Sequence, residues 1–206
     1  YLIENALLSK LSGLERKKYL LAVKVLKYCY FNGSKSIADI CKHLKVSSPN
    51  GISLLNDLMD KGLMEKKGFG VSNGGRKPEL YGIVTNVFYV LAIDMDIFQT
   101  RMTIFNSANE TIVETKTFDI ELNNEPHTLE VLIKNIEEFI AGSGIDRLTI
   151  LGIGLSLPGL VDSRKGVNHT YLHFGSKAVR DIIQEHIKIP VFVENDAKAI
   201  ALSVWR

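Results

Sequence analysis

The hydrophobic pattern changes period partway along the chain, and this change limits the possible folds more than any other feature. Up to residue 62 the apolar residues recur at helical spacing in three runs, each with its own start or stop signal. Beyond it they gather into β-branched and aromatic runs of strand length, parted by polar turns and interrupted by further helical runs. In the first helix, Leu14–Phe31, residues Leu20, Val23, Leu26 and Lys27 keep helical spacing, and Asn32-Gly33 stops it. Ser36 is placed to N-cap a short helix, Ile37–Leu44, with Ile37, Ile40, Cys41 and Leu44 on one face. After Lys45-Val46-Ser47, Ser48-Pro49 opens a third helix, with proline suited to its first turn. Its expected apolar face is Ile52, Leu55, Leu58 and Met59, and Gly62 ends it. Two short strands follow, Leu63–Lys67 and Leu80–Val84, joined by a segment holding Gly68, Gly70, Asn73, Gly74 and Gly75.

Three helices closed by a β-ribbon predict a winged helix-turn-helix over residues 1–84, whose second motif helix enters the major groove of duplex DNA. On that helix Asn50, Ser53 and Asn56 lie off the expected apolar face, where short polar side chains reach base edges. Ser47 and Ser48 stand at its N-terminus, where hydroxyls and unpaired backbone N–H groups suit a phosphate. Lys61, Lys66, Lys67, Arg76 and Lys77 supply positive charge along the wing. Net charge supports the division. Residues 1–82 hold 14 Lys/Arg against 7 Asp/Glu, whereas residues 83–206 hold 11 against 16, within a total of +2. A basic first part beside an acidic second part fits a nucleic-acid module joined to something else. The alternative is a winged helix used only for protein contact.

The remainder, residues 85–206, reads as α/β. Val87–Asp94, Thr100–Asn106 and Thr111–Phe118 are strand candidates, followed by a helix, Leu129–Ala141, with Leu132, Ile133, Ile136, Phe139 and Ile140 on its face. Then come a buried strand, Leu148–Leu155, a sharp turn at Leu157-Pro158-Gly159, a helix Ser176–His186, a short strand Val191–Val193 and a helix from Ala197 to Trp205. This order predicts one ribonuclease H-like lobe of the actin and hexokinase kind. Only Thr85 and Asn86 clearly separate the last wing strand from the first strand of this lobe, with no Gly/Ser linker. At 46% hydrophobic the chain is too rich in core-forming residues for disorder. Its apolar runs fall short of the ~18 residues that cross a bilayer, and its start lacks a leader pattern. Cys29 and Cys41 lie in helical stretches without a disulfide framework. A cytoplasmic protein without a membrane partner is expected, and the absence of a stop signal at Arg206 implies a fragment.

Three stretches carry a resemblance to the ROK family (repressors, open reading frames and kinases), in its transcriptional-regulator branch. Ser72-Asn73-Gly74-Gly75-Arg76-Lys77-Pro78 is similar to that branch's glycine-rich wing. Gly152-Ile153-Gly154-Leu155-Ser156-Leu157-Pro158-Gly159-Leu160-Val161-Asp162 resembles the strand and loop leading into the family's sugar cleft, and Val193-Glu194-Asn195-Asp196-Ala197 its Glu-Asn-Asp motif. The resemblance implies a sugar-responsive regulator, usually oligomeric, whose partners are a duplex DNA operator and a sugar or sugar phosphate. It places sugar contacts at Pro158, Gly159, Asn195 and Asp196. The chemistry suits them, since an amide and a carboxylate together donate to and accept from hydroxyls, and glycine lets backbone approach a ring.

The runner-up is an ATP-dependent sugar kinase with an appended DNA-binding domain. The family's kinases follow the first strand with Asp-x-Gly-Gly-Thr, whose backbone N–H groups close on phosphates. Here Asp94-Met95-Asp96-Ile97-Phe98-Gln99 keeps the first Asp but has lost the glycines, so the nucleotide site is expected to be degenerate and no catalytic residue is assigned. A third reading is an interaction protein that has lost small-molecule binding. No cofactor or metal is expected in this chain: the family's zinc element lies beyond Arg206, and His169 and His173 sit in a loop or strand.

Overall fold

The computed structural model describes residues 11–71, 77–175 and 177–204. Residues 72–76 lie outside the described residues, and with them Arg76 and the Asn73, Gly74 and Gly75 of the expected wing; so do Ser176 and Trp205, at the expected ends of two helices. The chain divides into two compact units, Tyr1–Val87 and Phe88–Arg206.

In the first unit the order is α1 (Gly13–Asn32), β1 (Lys35–Ser36), α2 (Ile37–Leu44), α3 (Ser48–Asp60), β2 (Met64–Phe69) and β3 (Glu79–Ile83). Local chemistry sets two of the helix starts: Ser12 closes a capping box with Glu15, and Ser36 closes one with Asp39. β3 lies between β1 and β2 and is antiparallel to both, with Lys35 opposite Tyr81 and Met64 opposite Ile83. Val25, Cys29, Ile40, Leu54, Leu55, Leu58 and Met64 form the core. Burial pushes the Cys29 thiol up to about 11, which keeps it protonated and inert.

The inward face of α3 differs from the one that periodicity selects. Gly51, Leu54, Leu55 and Leu58 are buried, whereas Ile52 is 49% exposed. The reason is the approach of α2: a Cβ on Gly51 would stand 2.3 Å from Cys41 Sγ. Only a bare Cα fits there, and with Gly51 turned inward Ile52 is turned out. In α1 the fully buried residues are likewise Val25 and Cys29, with Leu20 at 38% exposure.

The second unit contains β4 (Tyr89–Met95), β5 (Gln99–Asn106), β6 (Thr111–Asp119), α4 (Pro126–Gly142), β7 (Ile150–Leu157), β8 (Val161–Asp162), β9 (Val167–Asn168), α5 (Val179–Ile187), β10 (Val191–Asn195) and α6 (Asp196–Val204). Its mixed sheet has the order β10-β7-β4-β5-β6. β4, β5 and β6 form an antiparallel meander, while β7 pairs parallel with both β4 and β10. Parallel neighbours require crossovers, which α4 and α5 provide. Leu91, Ile93, Met102, Ile104, Ile153 and Leu155 from the sheet pack with Leu132, Ile136, Ile183 and Ile187 from these helices.

Two details depart from the sequence reading. A 3-10 turn, Arg147–Thr149, capped by Asp146, takes up the expected start of β7 and leaves Leu148 at 90% exposure. The β8–β9 hairpin was not foreseen; Val161 pairs with Asn168 and Asp162 with Val167.

The α2–α3 contact yields a stability prediction. Gly51→Ala gains roughly 1 kcal/mol of helix propensity but forces Cys41 aside, at an overpacking cost of about 1–3 kcal/mol. A net loss is expected in urea unfolding, and adding Cys41→Ala should recover most of it.

Candidate functional site

On α3 the residues Ser48, Pro49, Asn50, Ile52, Ser53 and Asn56 are all exposed. The three polar side chains singled out from the sequence, Asn50, Ser53 and Asn56, therefore share one open face of the helix. Ser47 occupies the N-cap without a side-chain capping bond; its carbonyl accepts the Gly51 N–H at 3.0 Å and lies 3.9 Å from Cys41 Sγ. Its hydroxyl is thus not spent on the cap.

The lysines of β2 stand apart from this set and carry acidic partners. Lys66 Nζ lies 3.0 Å from Glu79 Oε1 across the ribbon, and this hydrogen-bonded pair raises the Lys66 pKa above the ordinary lysine value. Lys67 pairs with Glu65 and reaches Thr85 Oγ1 at 3.5 Å. Lys77 is exposed. Exposed pairs of this kind are worth about 0–1 kcal/mol each.

In the second unit the four residues assigned to a sugar do come together. Parallel register sets Asn195 of β10 beside Leu157 of β7, so both chains leave the sheet at the same edge. Asn195 Nδ2 then donates to the Gly159 carbonyl at 3.1 Å and to Asp196 Oδ1 at 2.9 Å. Asn195 Oδ1 accepts the Lys198 N–H, and Asp196 Oδ1 accepts the Ala197 N–H. Asn195 and Asp196 thus act as helix caps, while Asp196 Oδ2 adds a second carboxylate oxygen at the same edge. Glu194 Oε1 holds the surroundings in place, accepting from Ser163 Oγ at 2.7 Å and from the Asn195 N–H.

Sequence reasoning missed the group that shapes the turn at Pro158-Gly159. Asn168, only 1% exposed, donates to the Pro158 carbonyl at 2.9 Å and accepts from the Thr170 and Tyr171 N–H groups. Thr170 Oγ1 receives the Leu160 N–H. Asn124 binds the same loop, donating to the Thr170 carbonyl and accepting the His173 N–H. Gly159 has φ +100°, and a Cβ there would stand 2.7 Å from Thr170 Cβ. A signal existed: Asp162 and Gly166 bracket a tight hairpin turn, which would have brought Asn168 back beside Pro158. His169 and His173 lie in this loop with their rings 5.9 Å apart.

The turn after β4 ends at the same edge of the sheet, since Asp94 pairs with Ser156 of β7. Asp96 Oδ1 accepts the N–H groups of Phe98 at 2.8 Å and Gln99 at 2.7 Å, and Oδ2 accepts from Arg101 at 2.9 Å. These bonds, the two backbone ones foremost, hold the Asp96 carboxyl below its usual pKa. Arg101 Nε also lies 3.6 Å from Asp94. The Phe98 and Gln99 N–H donors of this turn are thus occupied by the chain's own carboxylate.

Comparison with known proteins adds the following. Residues 90–205 match the ROK family. The xylose repressor of Caldicellulosiruptor bescii is 27% identical over 187 residues, covering 90% of this chain and 47% of that protein. The DNA-binding transcriptional dual regulator NagC of Escherichia coli is 20% identical over 197 residues, covering 95% of this chain and 48% of its own length. A crystal structure of a ROK family transcriptional regulator, a homologue of the Escherichia coli MLC protein, superposes with a TM-score of 0.69 at 23% identity, over 90% of this chain and 47% of that one. The chain therefore spans about half the length of the curated relatives it matches. No helix among the described residues is long and apolar enough to cross a membrane.

Two measurements test this geometry. Gly159→Ala combines a strained φ with the Thr170 contact and should cost about 1–3 kcal/mol in urea unfolding; Thr170→Ala in the same chain should restore only part, because the backbone strain stays. The depressed pKa of Asp96 makes a stabilising contribution that is complete above the ordinary Asp range near ~4. That contribution is lost as pH falls through the lower folded value. Asp96→Asn should lower stability at pH 7 and flatten the acid limb of the stability profile.

Proposed function

The chain belongs to the ROK family, and from that premise we propose that it is part of a sugar-responsive transcriptional regulator. In this reading residues 1–84 form a winged helix-turn-helix that binds duplex DNA, with α3 in the major groove. Asn50, Ser53 and Asn56 face bases; Ser47, Ser48, Lys66, Lys67, Arg76 and Lys77 face phosphates. Residues 85–206 form the first ribonuclease H-like lobe of an effector domain, where Pro158, Gly159, Asn195 and Asp196 contact a sugar or sugar phosphate. The proteins matched over most of this chain are named repressors and a transcriptional regulator, which supports regulation over catalysis. The partners proposed are an operator, a sugar effector and a second copy of the protein, all in the cytoplasm.

The observation that carries a regulator over a kinase is the turn after β4. A nucleotide phosphate needs free backbone N–H donors. Those of Phe98 and Gln99 are bonded to Asp96, and Asp96 also brings negative charge to that place. The sugar carboxylate persists where the phosphate cradle does not, and a protein with that combination binds a sugar without phosphorylating it. The segment 84–88 joining the two units is short, which suits transmission of a ligand signal worth about 1–3 kcal/mol.

The experiment uses the full-length protein, duplexes that it selects from genomic DNA, and a panel of pentoses, hexoses and amino sugars. One sugar is expected to change operator affinity 5–150-fold. Asp196→Ala should abolish that response and leave sugar-free DNA binding intact. ATP-dependent phosphorylation of any sugar near the ~10 s⁻¹ median of enzymes would overturn the reading in favour of a kinase.

A further inference from the structure

Ile52 is the one large apolar side chain on the open face of α3, 49% exposed among Asn50, Ser53 and Asn56. Its exposure is imposed by the packing rather than left over at a helix end. Gly51 must face Cys41 because no Cβ fits between them, and the next residue is thereby turned outward near the middle of the first two turns. A polar side chain would cost nothing at such a place, yet the chain carries a β-branched hydrocarbon there. The helix Ser48–Asp60 also contains no lysine or arginine, and those are the side chains that most often read guanine through O6 and N7. Its exposed amides, Asn50 and Asn56, are of the type that pairs with adenine N6 and N7. In the major groove an adenine's partner shows one apolar group, the thymine 5-methyl.

We propose that Ile52 is a specificity-determining residue that packs on the 5-methyl group of a thymine, so that the base pairs under α3 are A·T. The inference rests on α3 being the helix that enters the major groove. It adds to that reading the identity of a base and of the side chain that selects it. Neighbouring Ser53 and the amides one turn to either side hydrogen-bond, whereas Ile52 discriminates by removing apolar surface from water. Thymine and cytosine differ in the groove by the methyl and by the sense of one hydrogen-bonding group, and this contact reads the methyl.

The test uses the full chain and a duplex that it selects from a random pool. Each thymidine of the selected site is replaced in turn by deoxyuridine, which removes the methyl and nothing else. One position per half-site is expected to lose about four-fold in affinity, the worth of one buried methyl. In Ile52→Ser that position should lose nothing on the same replacement, while Ile52→Val should keep part of the effect. Circular dichroism of both variants should match the parent, since the side chain is half in solvent. If DNA is bound but no deoxyuridine replacement matters, the inference falls and the DNA-binding reading stands. The inference falls in the same way if the sensitive position is equally sensitive in Ile52→Ser, and Ile52 then faces a protein surface instead. If no duplex is retained from the pool, both fall together.

Discussion

Strand β7 is hydrogen-bonded along both edges to parallel neighbours, and parallel strands in register finish at the same edge of a sheet. Asp94, the Pro158-Gly159 turn and Asn195 are distant in sequence, yet the pairings of Asp94 with Ser156 and Asn195 with Leu157 deliver all three to one place. Everything chemically notable in the second unit follows from that. The helices α4 and α5 exist to return the chain for the next parallel strand, and their apolar faces supply the core that keeps the register from slipping. A shift of one residue would turn Ile153 and Leu155 outward and separate Asn195 from the Gly159 carbonyl.

The Pro158-Gly159 turn at this edge is held by side-chain hydrogen bonds. Asn168 is buried with three backbone partners, and leaving such groups unpaired costs about 1–3 kcal/mol each. This network ties the Pro158-Gly159 turn to the loop before α4 through Asn124, and Glu194 ties the neighbouring β8 segment to β10 through Ser163. The turn therefore has a shape fixed by the chain's own hydrogen bonds.

What could be read from the sequence was what local chemistry decides. Ser36, Ser48-Pro49 and Gly62 mark helix limits through capping, a fixed φ and left-handed backbone, none of which depends on distant residues. The strands of the meander were legible for the same reason, and Pro158, Gly159, Asn195 and Asp196, grouped by motif resemblance, lie side by side in the fold. The face of α3 was not legible. Hydropathy ranks isoleucine above glycine, so periodicity placed Ile52 inside, whereas the closeness of α2, a tertiary fact, reserves the inside for Gly51. Asn168 escaped for a related reason: a lone asparagine in a polar run shows its importance only once the hairpin has folded it against Pro158. In the sequence Asp96 shows only as a residue standing where the family's kinases have glycine, and its bonds to Phe98 and Gln99 show that carboxylate building the turn.

If the first unit binds DNA as proposed, the acidic partners of Lys66 and Lys67 bear on how its basic face meets a polyanion. Lys66 already rests on Glu79, and Lys67 on Glu65. A phosphate arriving at either ammonium displaces a tethered carboxylate instead of joining a bare cation. That exchange returns an anionic side chain to water, while the neutralised phosphate still releases its condensed small ions. The slope of log affinity against log salt counts released counterions at roughly 0.9 per neutralised phosphate. For this surface the slope would still count the phosphates neutralised, whereas breaking each resident pair would subtract from the affinity gained.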